Sequence, residues 1–338
     1  MVERADNGVT TRAGKPGALV GEGRRGIVVA GLAVAAAGVL SLHRAIPNSP
    51  GRIGSLVESF LPWVGVAVVL LVIVELVRRS GVALVALLLP VGVWVDSFGG
   101  LLLPSAGAGG RELVVVQHNV SDVNLDPAGT ARALLAAGGD LVALQEVVVP
   151  AVGVYEDVLG AEYPHHVVHG TVGLWSRYPI RTDQVVDIRP RAFEAGWSRG
   201  LRAVVETPYG DVAAYVAHLP SVRLGAGELA SSARDESARM LGDLVRGEEV
   251  RAVVLVGDLN GTVDDRGLEP LTSQLNVAER GFAFSFPAGL PVARIDQVLA
   301  RSATVRHIRT LPATGSDHLP VAARVSFSPL PASGRPAA

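Results

Sequence analysis

Two contrasting patterns of apolar and polar positions divide the chain near residue 104. The first part contains three long apolar runs, over residues 26–42, 60–74 and 82–103, and Asp96 is the only charged residue within them. Each run approaches the roughly 20 residues that cross a bilayer as a helix, and none shows the polar stripe of a surface helix. A cleaved signal peptide could account for the first run and a buried helix for any single run. The three runs together predict three retained transmembrane helices over residues 26–103.

The basic residues that flank these runs predict an orientation. Cytoplasmic loops carry an excess of Lys and Arg. The chain is basic before the first run and between the second and third, whereas the loop between the first and second carries only Arg44 and Arg52. The basic residues on the predicted inner side are Arg4, Arg12, Lys15, Arg24, Arg25, Arg78 and Arg79. This pattern predicts a cytoplasmic tail over residues 1–25, a multi-pass protein of the cell membrane, and an extracellular location for everything after Leu103.

Beyond residue 104, short apolar runs typical of β-strands alternate with helical stretches. Residues 104–110 (Pro-Ser-Ala-Gly-Ala-Gly-Gly) predict a flexible linker, and the Pro- and Ala-rich residues 327–338 predict a loose tail. The intervening residues 111–326 suit one α/β domain. The predicted strands are Leu113–Asn119, Leu141–Gln145, Gly173–Ser176, Leu201–Glu206, Val212–His218, Ala252–Gly257, Ile295–Leu299 and Leu319–Val325, and the predicted helices are Pro127–Ala137 and Glu228–Arg246.

Composition and charge exclude several classes of protein. The chain has 338 residues, 49% of them hydrophobic and 18% charged, which excludes intrinsic disorder. It contains no Cys, so thiol catalysis and disulfide frameworks are excluded. Residues 1–104 carry nine basic and six acidic residues, whereas the remainder carries 21 and 26. An acidic balance is not the charge pattern typical of non-specific nucleic-acid binding, which disfavours nucleic acid as a partner.

Polar residues with chemical potential follow the apolar strands at six places. Each alone has an ordinary explanation as a solvated cap, a turn residue or a structural histidine. Ligand sites in layered α/β proteins gather where strands end, so the ordered set predicts one shared site. The six places are Asn119, Gln145-Glu146, His218, Asp258 with Asn260, Ile295-Asp296 and Ser316-Asp317-His318.

This ordered set resembles the endonuclease/exonuclease/phosphatase superfamily, which includes deoxyribonuclease I, abasic-site endonucleases, sphingomyelinases and inositol polyphosphate 5-phosphatases. The segment Leu-Trp-Ser-Arg-Tyr-Pro-Ile at residues 174–180 is similar to a further segment of that superfamily. The resemblance covers about residues 111–326. It implies a two-sheet α/β sandwich of the deoxyribonuclease I type and metal-dependent cleavage of a phosphoester or phosphoanhydride. One departure is Ser121, where abasic-site endonucleases carry Asp.

The resemblance and elementary chemistry together suggest how the site would hold a metal ion and a phosphate. Mg²⁺, or Mn²⁺ in its place, prefers oxygen ligands. We therefore expect Glu146 as the main metal ligand, with Asn119 assisting through its amide oxygen and Asp317 as a weaker candidate. Arg199 and Arg202 lie in Trp-Ser-Arg-Gly-Leu-Arg, just before a strand, and are candidate substrate-binding residues because Arg suits phosphate recognition.

The family pattern also implies catalytic roles for the remaining polar residues. His318 would be the general base that takes a proton from the attacking water, and Asp296 would orient its ring. Asp258 would position or activate the water. Asn260 and His218 would donate hydrogen bonds to the phosphoryl oxygens as charge develops on them.

The arrangement of spans followed by a catalytic domain suggests a class of substrate. It resembles that of the glycopeptide (teicoplanin) resistance membrane proteins of the VanJ type. This resemblance implies an outward-facing phosphohydrolase of a lipid-linked pyrophosphate, undecaprenyl pyrophosphate. The alternative is a membrane-tethered extracellular nuclease or phosphodiesterase acting on DNA or phospholipid. A catalytically inactive binding module is a third hypothesis, and it is disfavoured because all the main motif positions carry reactive residue types.

Overall fold

A computed structural model of the chain describes residues 17–104, 110–224 and 229–328. Most of the predicted tail over 1–25, most of the predicted linker over 104–110 and the end of the predicted tail over 327–338 lie outside the described residues. The chain divides into two compact units. One contains the helical residues up to Ser41 together with Pro62–Asp96, and the other contains Leu42–Leu61 together with the residues from Ser97 onward.

Among the described residues, four α-helices precede the first strand: α1 (Gly17–Leu42), α2 (Ile53–Ser59), α3 (Val64–Arg78) and α4 (Gly81–Leu102). Three stretches, Gly26–Ala45, Leu61–Arg78 and Gly81–Leu102, are long and apolar enough to cross a membrane, and less than a third of each is buried. The prediction of three helices of spanning length is therefore confirmed. Small and branched side chains, including Val29, Ala33, Val68, Ala83 and Leu87, form a buried cluster among these helices.

The second unit contains two large β-sheets. The six-stranded sheet has the order β12-β13-β1-β2-β4-β3, and the five-stranded sheet has the order β11-β10-β7-β6-β5. The strands of the first are β1 (Glu112–Asn119), β2 (Leu141–Gln145), β3 (His165–His169), β4 (Val172–Ser176), β12 (Ala303–Thr310) and β13 (Val321–Phe327). Those of the second are β5 (Ile180–Val185), β6 (Gly200–Thr207), β7 (Gly210–His218), β10 (Ala252–Asp258) and β11 (Asp296–Arg301). The short strands β8 (Arg223–Leu224) and β9 (Leu229–Ala230) pair with each other.

The two large sheets pack face to face and helices cover their outer faces. Alternating apolar residues of both sheets, such as Val115, Leu141, Val205 and Val254, share one buried core. Helices α5 (Pro127–Ala136) and α6 (Ala151–Leu159) provide residues to a second core on the outer face of the first sheet. Helices α7 (Ser232–Arg246) and α8 (Glu269–Thr272) do the same on the second sheet. The predicted two-sheet α/β sandwich with outer helices is confirmed.

Some elements differ from the sequence-based predictions. The predicted helix Glu228–Arg246 begins at Ser232, because Leu229–Ala230 instead pairs with Arg223–Leu224 as a strand. Strands β5 and β12 and helix α6 were not predicted. Both strands lie at sheet edges and carry several polar residues, so their apolar signal is weak.

Candidate active site

The ends of the central strands place the predicted polar residues side by side. Asn119 at the end of β1 pairs with Gln145 of β2 in parallel register, and Glu146 follows directly. In the other sheet, Asp258 at the end of β10 pairs with His218 of β7 and with Asp296 of β11. The structure therefore brings most of the predicted site residues together at one end of the two packed sheets. Neighbouring parallel strands end on the same side of a sheet, which explains why the residues at their ends lie side by side.

Unusual backbone conformations accompany these strand ends. Gly257 has φ 152°, and a Cβ built on it would lie 1.9 Å from the carbonyl oxygen of Ala217 on the adjacent strand. A side chain at position 257 would therefore collide with β7, so only glycine fits at this position of the β7–β10 pair. Glu146 (φ 59°) and Asn260 (φ 47°) adopt the left-handed region, which non-glycine residues seldom occupy. Such conformations cluster at functional sites, where the surrounding structure maintains them.

A buried histidine–carboxylate pair lies at the centre of the site. His318 Nδ1 lies 2.9 Å from Asp296 Oδ2. The same carboxylate accepts hydrogen bonds from the Ser285 hydroxyl (2.5 Å) and the Gln117 amide (2.9 Å). Burial opposes the charge of Asp296, but His318 and these hydrogen bonds lower its pKa. Burial alone would lower the pKa of His318, and the carboxylates of Asp296 and Asp258 raise it instead.

Asp258 is the second buried carboxylate of the cluster. Its Oδ1 accepts the backbone N–H of Asn260 at 2.9 Å, and its Oδ2 accepts the side-chain amide of Asn119 at 3.1 Å. His318 Nε2 lies 3.7 Å from the same Oδ2. Burial raises the pKa of Asp258, and the nearby charge of Asp296 adds to this effect while His318 opposes it. Asp258 therefore belongs to the same buried cluster as Asp296 and His318.

Asn119 joins Asp258 to Glu146. Its amide nitrogen donates to Glu146 Oε1 at 3.2 Å as well as to Asp258, and its Oδ1 accepts the N–H of Ser121 at 3.1 Å. The amide nitrogen, and not the oxygen expected as a metal ligand, faces the two carboxylates in this arrangement. The other oxygen of Glu146 accepts the N–H of Asp122 at 3.1 Å.

The two candidate arginines occupy different surroundings. Arg199 Nη1 lies 3.1 Å from Nδ1 of His218, and its guanidinium also lies over the Trp197 ring. Burial and then the charge of Arg199 lower the pKa of His218 well below its usual value. Arg202 instead forms a two-bond ion pair with Glu248, at 2.5 and 2.9 Å. The structure does not bring Arg202 to the site, because this carboxylate occupies its guanidinium.

A cleft of about 340 Å³ opens over the cluster. Asp317, whose side chain is exposed, lies on its lining together with Arg223, which sequence analysis did not single out. Arg223 lies in a short strand without a neighbouring motif, so no sequence signal marked it. The polar residues on the lining include Asn119, Glu146, Arg223, Asp258, Asn260, Asp317 and His318.

The donor set of the cleft fits a hard divalent cation. One oxygen or nitrogen from each of Asp258, Asp296 and His318 lies within 4.8 Å of the others. Asp296 already accepts hydrogen bonds from three side chains. Glu146 and Asp258, which Asn119 links, therefore have more oxygen lone pairs available for Mg²⁺. The assignment of Glu146, Asn119 and Asp317 as ligands stays a prediction.

Two packed sheets with outer helices and a carboxylate–histidine cluster at the strand ends define the deoxyribonuclease I-like class of fold. The endonuclease/exonuclease/phosphatase family matches residues 110–318, more than half of the chain, and the chain belongs to this family. Members of this superfamily are hydrolases that act on phosphoester bonds. The superfamily predicted from the order of the motifs is thereby confirmed.

Solved structures show the same fold at low sequence identity. An endonuclease/exonuclease/phosphatase from Beutenbergia cavernae is 22% identical, with a TM-score of 0.54 over 64% of this chain and 72% of that chain. A Staphylococcus aureus beta toxin variant with bound magnesium ions is 15% identical, with a TM-score of 0.50 over 64% and 100%. D. rerio TDP2 in complex with a single-strand DNA product is 17% identical, with a TM-score of 0.54 over 64% and 99%. No curated protein matches the chain.

Proposed function

We propose that the protein is a membrane-anchored, metal-dependent phosphohydrolase that acts on a lipid-linked pyrophosphate at the outer face of the cytoplasmic membrane, with undecaprenyl pyrophosphate as the substrate. The observation that carries the proposal is that the domain with the cleft directly follows the third predicted span along the chain. Strand β1 begins at Glu112, shortly after α4 ends at Leu102, and α4 is long and apolar enough to cross a membrane. Such a tether raises the effective concentration of a substrate whose head group lies at the bilayer surface.

Different residues of the site would bind the metal ion and transfer the proton. Glu146 and Asp258 would hold Mg²⁺ or Mn²⁺, which would supply positive charge to the phosphate oxygens, and Asn119 would keep these two carboxylates in position. In the base form of His318, the Nδ1–H would donate to Asp296 and Nε2 would take a proton from the attacking water; the carboxylates that raise the pKa of His318 would then stabilise the ring once it is protonated. As the water oxygen bonds to the terminal phosphorus, the bond from that phosphorus to the bridging oxygen breaks. The products are inorganic phosphate and the lipid monophosphate.

Two further residues are suited to bind the phosphoryl oxygens as charge develops on them. His218 is buried and does not line the cleft; its Nδ1 and Nε2 lie 3.1 and 3.3 Å from Arg199 Nη1, and Nε2 lies 3.6 Å from Asp258 Oδ2, so it would reach a phosphoryl oxygen only through an N–H on the side of Asp258. One amide hydrogen of Asn260 bonds the carbonyl of Leu219 at 2.9 Å, and the other is available to the substrate. The resemblance to magnesium-bound beta toxin supports a metal-dependent reaction of this kind.

The contacts within the second unit support the proposed topology. Glu58, in the segment between the first two spans, bonds Arg266 of the catalytic domain at 2.7 Å. Residues in contact lie on the same side of a membrane, so that segment and the catalytic domain share one side. Three crossings from a basic, cytoplasmic N-terminus lead to the outer side. Dephosphorylation of the lipid carrier on that side would return it to peptidoglycan synthesis. We include in the proposal that this activity contributes to teicoplanin resistance.

The test measures phosphate release by the full-length protein, purified in detergent, from undecaprenyl pyrophosphate with Mg²⁺. Undecaprenyl monophosphate, sphingomyelin and DNA serve as alternative substrates, and His318→Ala serves as the inactive control. The proposal expects rapid release from the pyrophosphate that the control lacks. Rapid cleavage of DNA or sphingomyelin, without release from the pyrophosphate, would overturn it in favour of the tethered nuclease or phosphodiesterase.

A further inference from the structure

The segment Leu42–Leu61 between the first two spans forms part of the catalytic unit. The buried Glu58 of α2 accepts two hydrogen bonds from the Arg266 guanidinium, at 2.7 and 2.8 Å, and one from the Arg266 backbone N–H at 2.9 Å. The same guanidinium donates to the carbonyls of His43 and Ile46. Burial disfavours the charge of Glu58, but its bonds to Arg266 lower its pKa overall, so an ion pair fastens the segment.

Further contacts determine how α2 lies on the domain. Arg52 bonds Asp235 of α7 at 2.7 Å. The Asn48 side chain accepts the N–H of Ser55 at 3.0 Å near the start of α2. A Cβ on Gly54 would lie 2.7 Å from the Arg266 guanidinium, so the helix approaches the domain as closely as glycine permits. These contacts hold the segment in one position.

This position brings two apolar side chains of the segment to the active-site cleft. Leu56 and Phe60 line the cleft that also contains Asp258 and His318. Phe60 is 42% exposed, although an aromatic side chain favours burial. Phe286 lies on the same lining, and its ring centroid is 4.9 Å from that of His318. The cleft thus has an apolar wall, formed by Leu56, Phe60 and Phe286, in addition to the polar residues that are proposed to bind phosphate.

A molecule that matches both surfaces carries a phosphate next to a hydrocarbon chain. A free phosphate or a sugar phosphate would leave the apolar wall in water. Apolar surface that meets a hydrocarbon chain is removed from water, which favours binding in proportion to the area buried. Leu56 and Phe60 of the wall belong to a segment that is joined along the chain to predicted spans at both of its ends, which favours a hydrocarbon chain from the membrane as its ligand.

We propose that Leu56 and Phe60, together with Phe286, bind the hydrocarbon chain of a phosphorylated lipid next to its phosphate, so that the inter-span segment determines specificity. This inference rests on the proposed function and extends it. It assigns chain recognition to the segment and hydrolysis to the residues of the strand ends.

The experiment compares a short, water-soluble prenyl pyrophosphate with a long-chain one, using the full-length protein in detergent. We expect wild type to prefer the long chain. Phe60→Ser and Leu56→Ser, made separately, should each lower the ratio of kcat/KM for the long chain to that for the short chain by about tenfold, mainly through KM, because each removes apolar contact. Ile53→Ser is the matched control, since Ile53 lies in the same segment and is 52% exposed but does not line the cleft.

The outcomes separate this inference from the proposed function. If wild type cleaves DNA and neither pyrophosphate, the proposed function is wrong. If wild type hydrolyses both pyrophosphates without preferring the long chain, or if both serine variants fold and keep the wild-type ratio, the inference alone is wrong. Circular dichroism and thermal unfolding establish folding for each variant. If either serine variant fails to fold, the milder substitutions Phe60→Leu and Leu56→Ala replace it. The same ratio of kcat/KM values for the long and short chains is then measured on them.

Discussion

Asp296 Oδ2 lies 2.9 Å from Nδ1 of His318, and both side chains are buried. This bond orients the imidazole so that Nε2 points towards Asp258 and the space for an attacking water. In the proposed reaction, Nε2 of His318 would take the proton from the attacking water.

Removal of this base should abolish most of the turnover. His318→Ala should lower kcat by about a hundredfold or more, the usual size of a general-base contribution, while KM changes little. Asp296→Asn should lower kcat as well, because the ring loses its charged partner. Steady-state kinetics on the purified protein would measure both effects. His307→Ala, on an edge strand outside the cleft, is the control, and a folded His318→Ala protein that retains a tenth of wild-type turnover would contradict the role.

The carboxylates of the cleft should make activity depend on a divalent cation. Chelation with EDTA should abolish activity, and Mg²⁺ or Mn²⁺ should restore it, because Glu146 and Asp258 offer the oxygen ligands these ions prefer. Glu146→Gln should weaken Mg²⁺ binding by about tenfold or more, measured by calorimetry independently of turnover. The matched control is Glu162→Gln at an exposed position. Full activity after chelation would show that the cluster works without a metal.

The sequence predicted the strand ends well because each combines an apolar run with a polar terminus. Asn119, His218 and Asp258 ended predicted strands or followed them directly, and the pairing of parallel strands then brings them together. Residues whose role depends on packing between distant segments carry no such signal. The segment Leu42–Leu61 reads as a simple loop between spans, yet Glu58 and Arg266 join it to the catalytic domain.

The arginines illustrate the same limit. Arg199 and Arg202 lie three positions apart at the start of β6, and both matched the expectation for phosphate binding. Arg202 is not available to bind phosphate, because its guanidinium bonds Glu248, which lies more than forty residues further along the chain. Arg223 lies on the cleft through the pairing of two very short strands, which no periodic pattern reveals.

Arg223 should contribute to binding the phosphate group. Arg223→Ala should raise KM by about tenfold, because a charged hydrogen bond to the substrate is lost, and should leave kcat less affected. The comparison is Arg309→Ala, which removes an exposed arginine from β12, away from the cleft. Kinetics over a range of salt concentrations would show a weaker salt dependence for Arg223→Ala than for the control. Equal KM values for the two variants would exclude Arg223 from substrate binding.

Gly257 should tolerate no side chain. Gly257→Ala places a Cβ 1.9 Å from the carbonyl oxygen of Ala217, at φ 152°, so the β7–β10 ladder must shift and Asp258 with it. We expect a lower unfolding temperature and a loss of activity of about a hundredfold, since small displacements of a catalytic group have effects of this size. Gly153→Ala is the matched control, because Gly153 lies within α6 and a Cβ there meets no atom within 4 Å. Equal unfolding temperatures and activities would contradict the steric argument.

A buried ion pair far from the cleft should make stability depend on pH. Burial raises the pKa of Glu248, but Arg202, the Val250 N–H and the Tyr215 hydroxyl lower it to about 2, from an ordinary value of 4.5. The folded state therefore favours the charged carboxylate. Its stabilising effect is complete above about pH 4.5 and declines as the pH falls towards 2.

Glu248→Gln should accordingly lower the free energy of unfolding at pH 7 by about 1–3 kcal/mol, the usual range for hydrogen bonds to a charged group. Thermal unfolding of the full-length protein in detergent should show a difference between wild type and Glu248→Gln at pH 7 that narrows steadily below pH 4.5. Glu206→Gln breaks the exposed contact with Arg181 and should have little effect at any pH, because solvent screens such pairs. A wild-type advantage that stayed constant down to pH 3 would mean that packing of the Glu248 side chain, rather than its charge, stabilises this part of the fold.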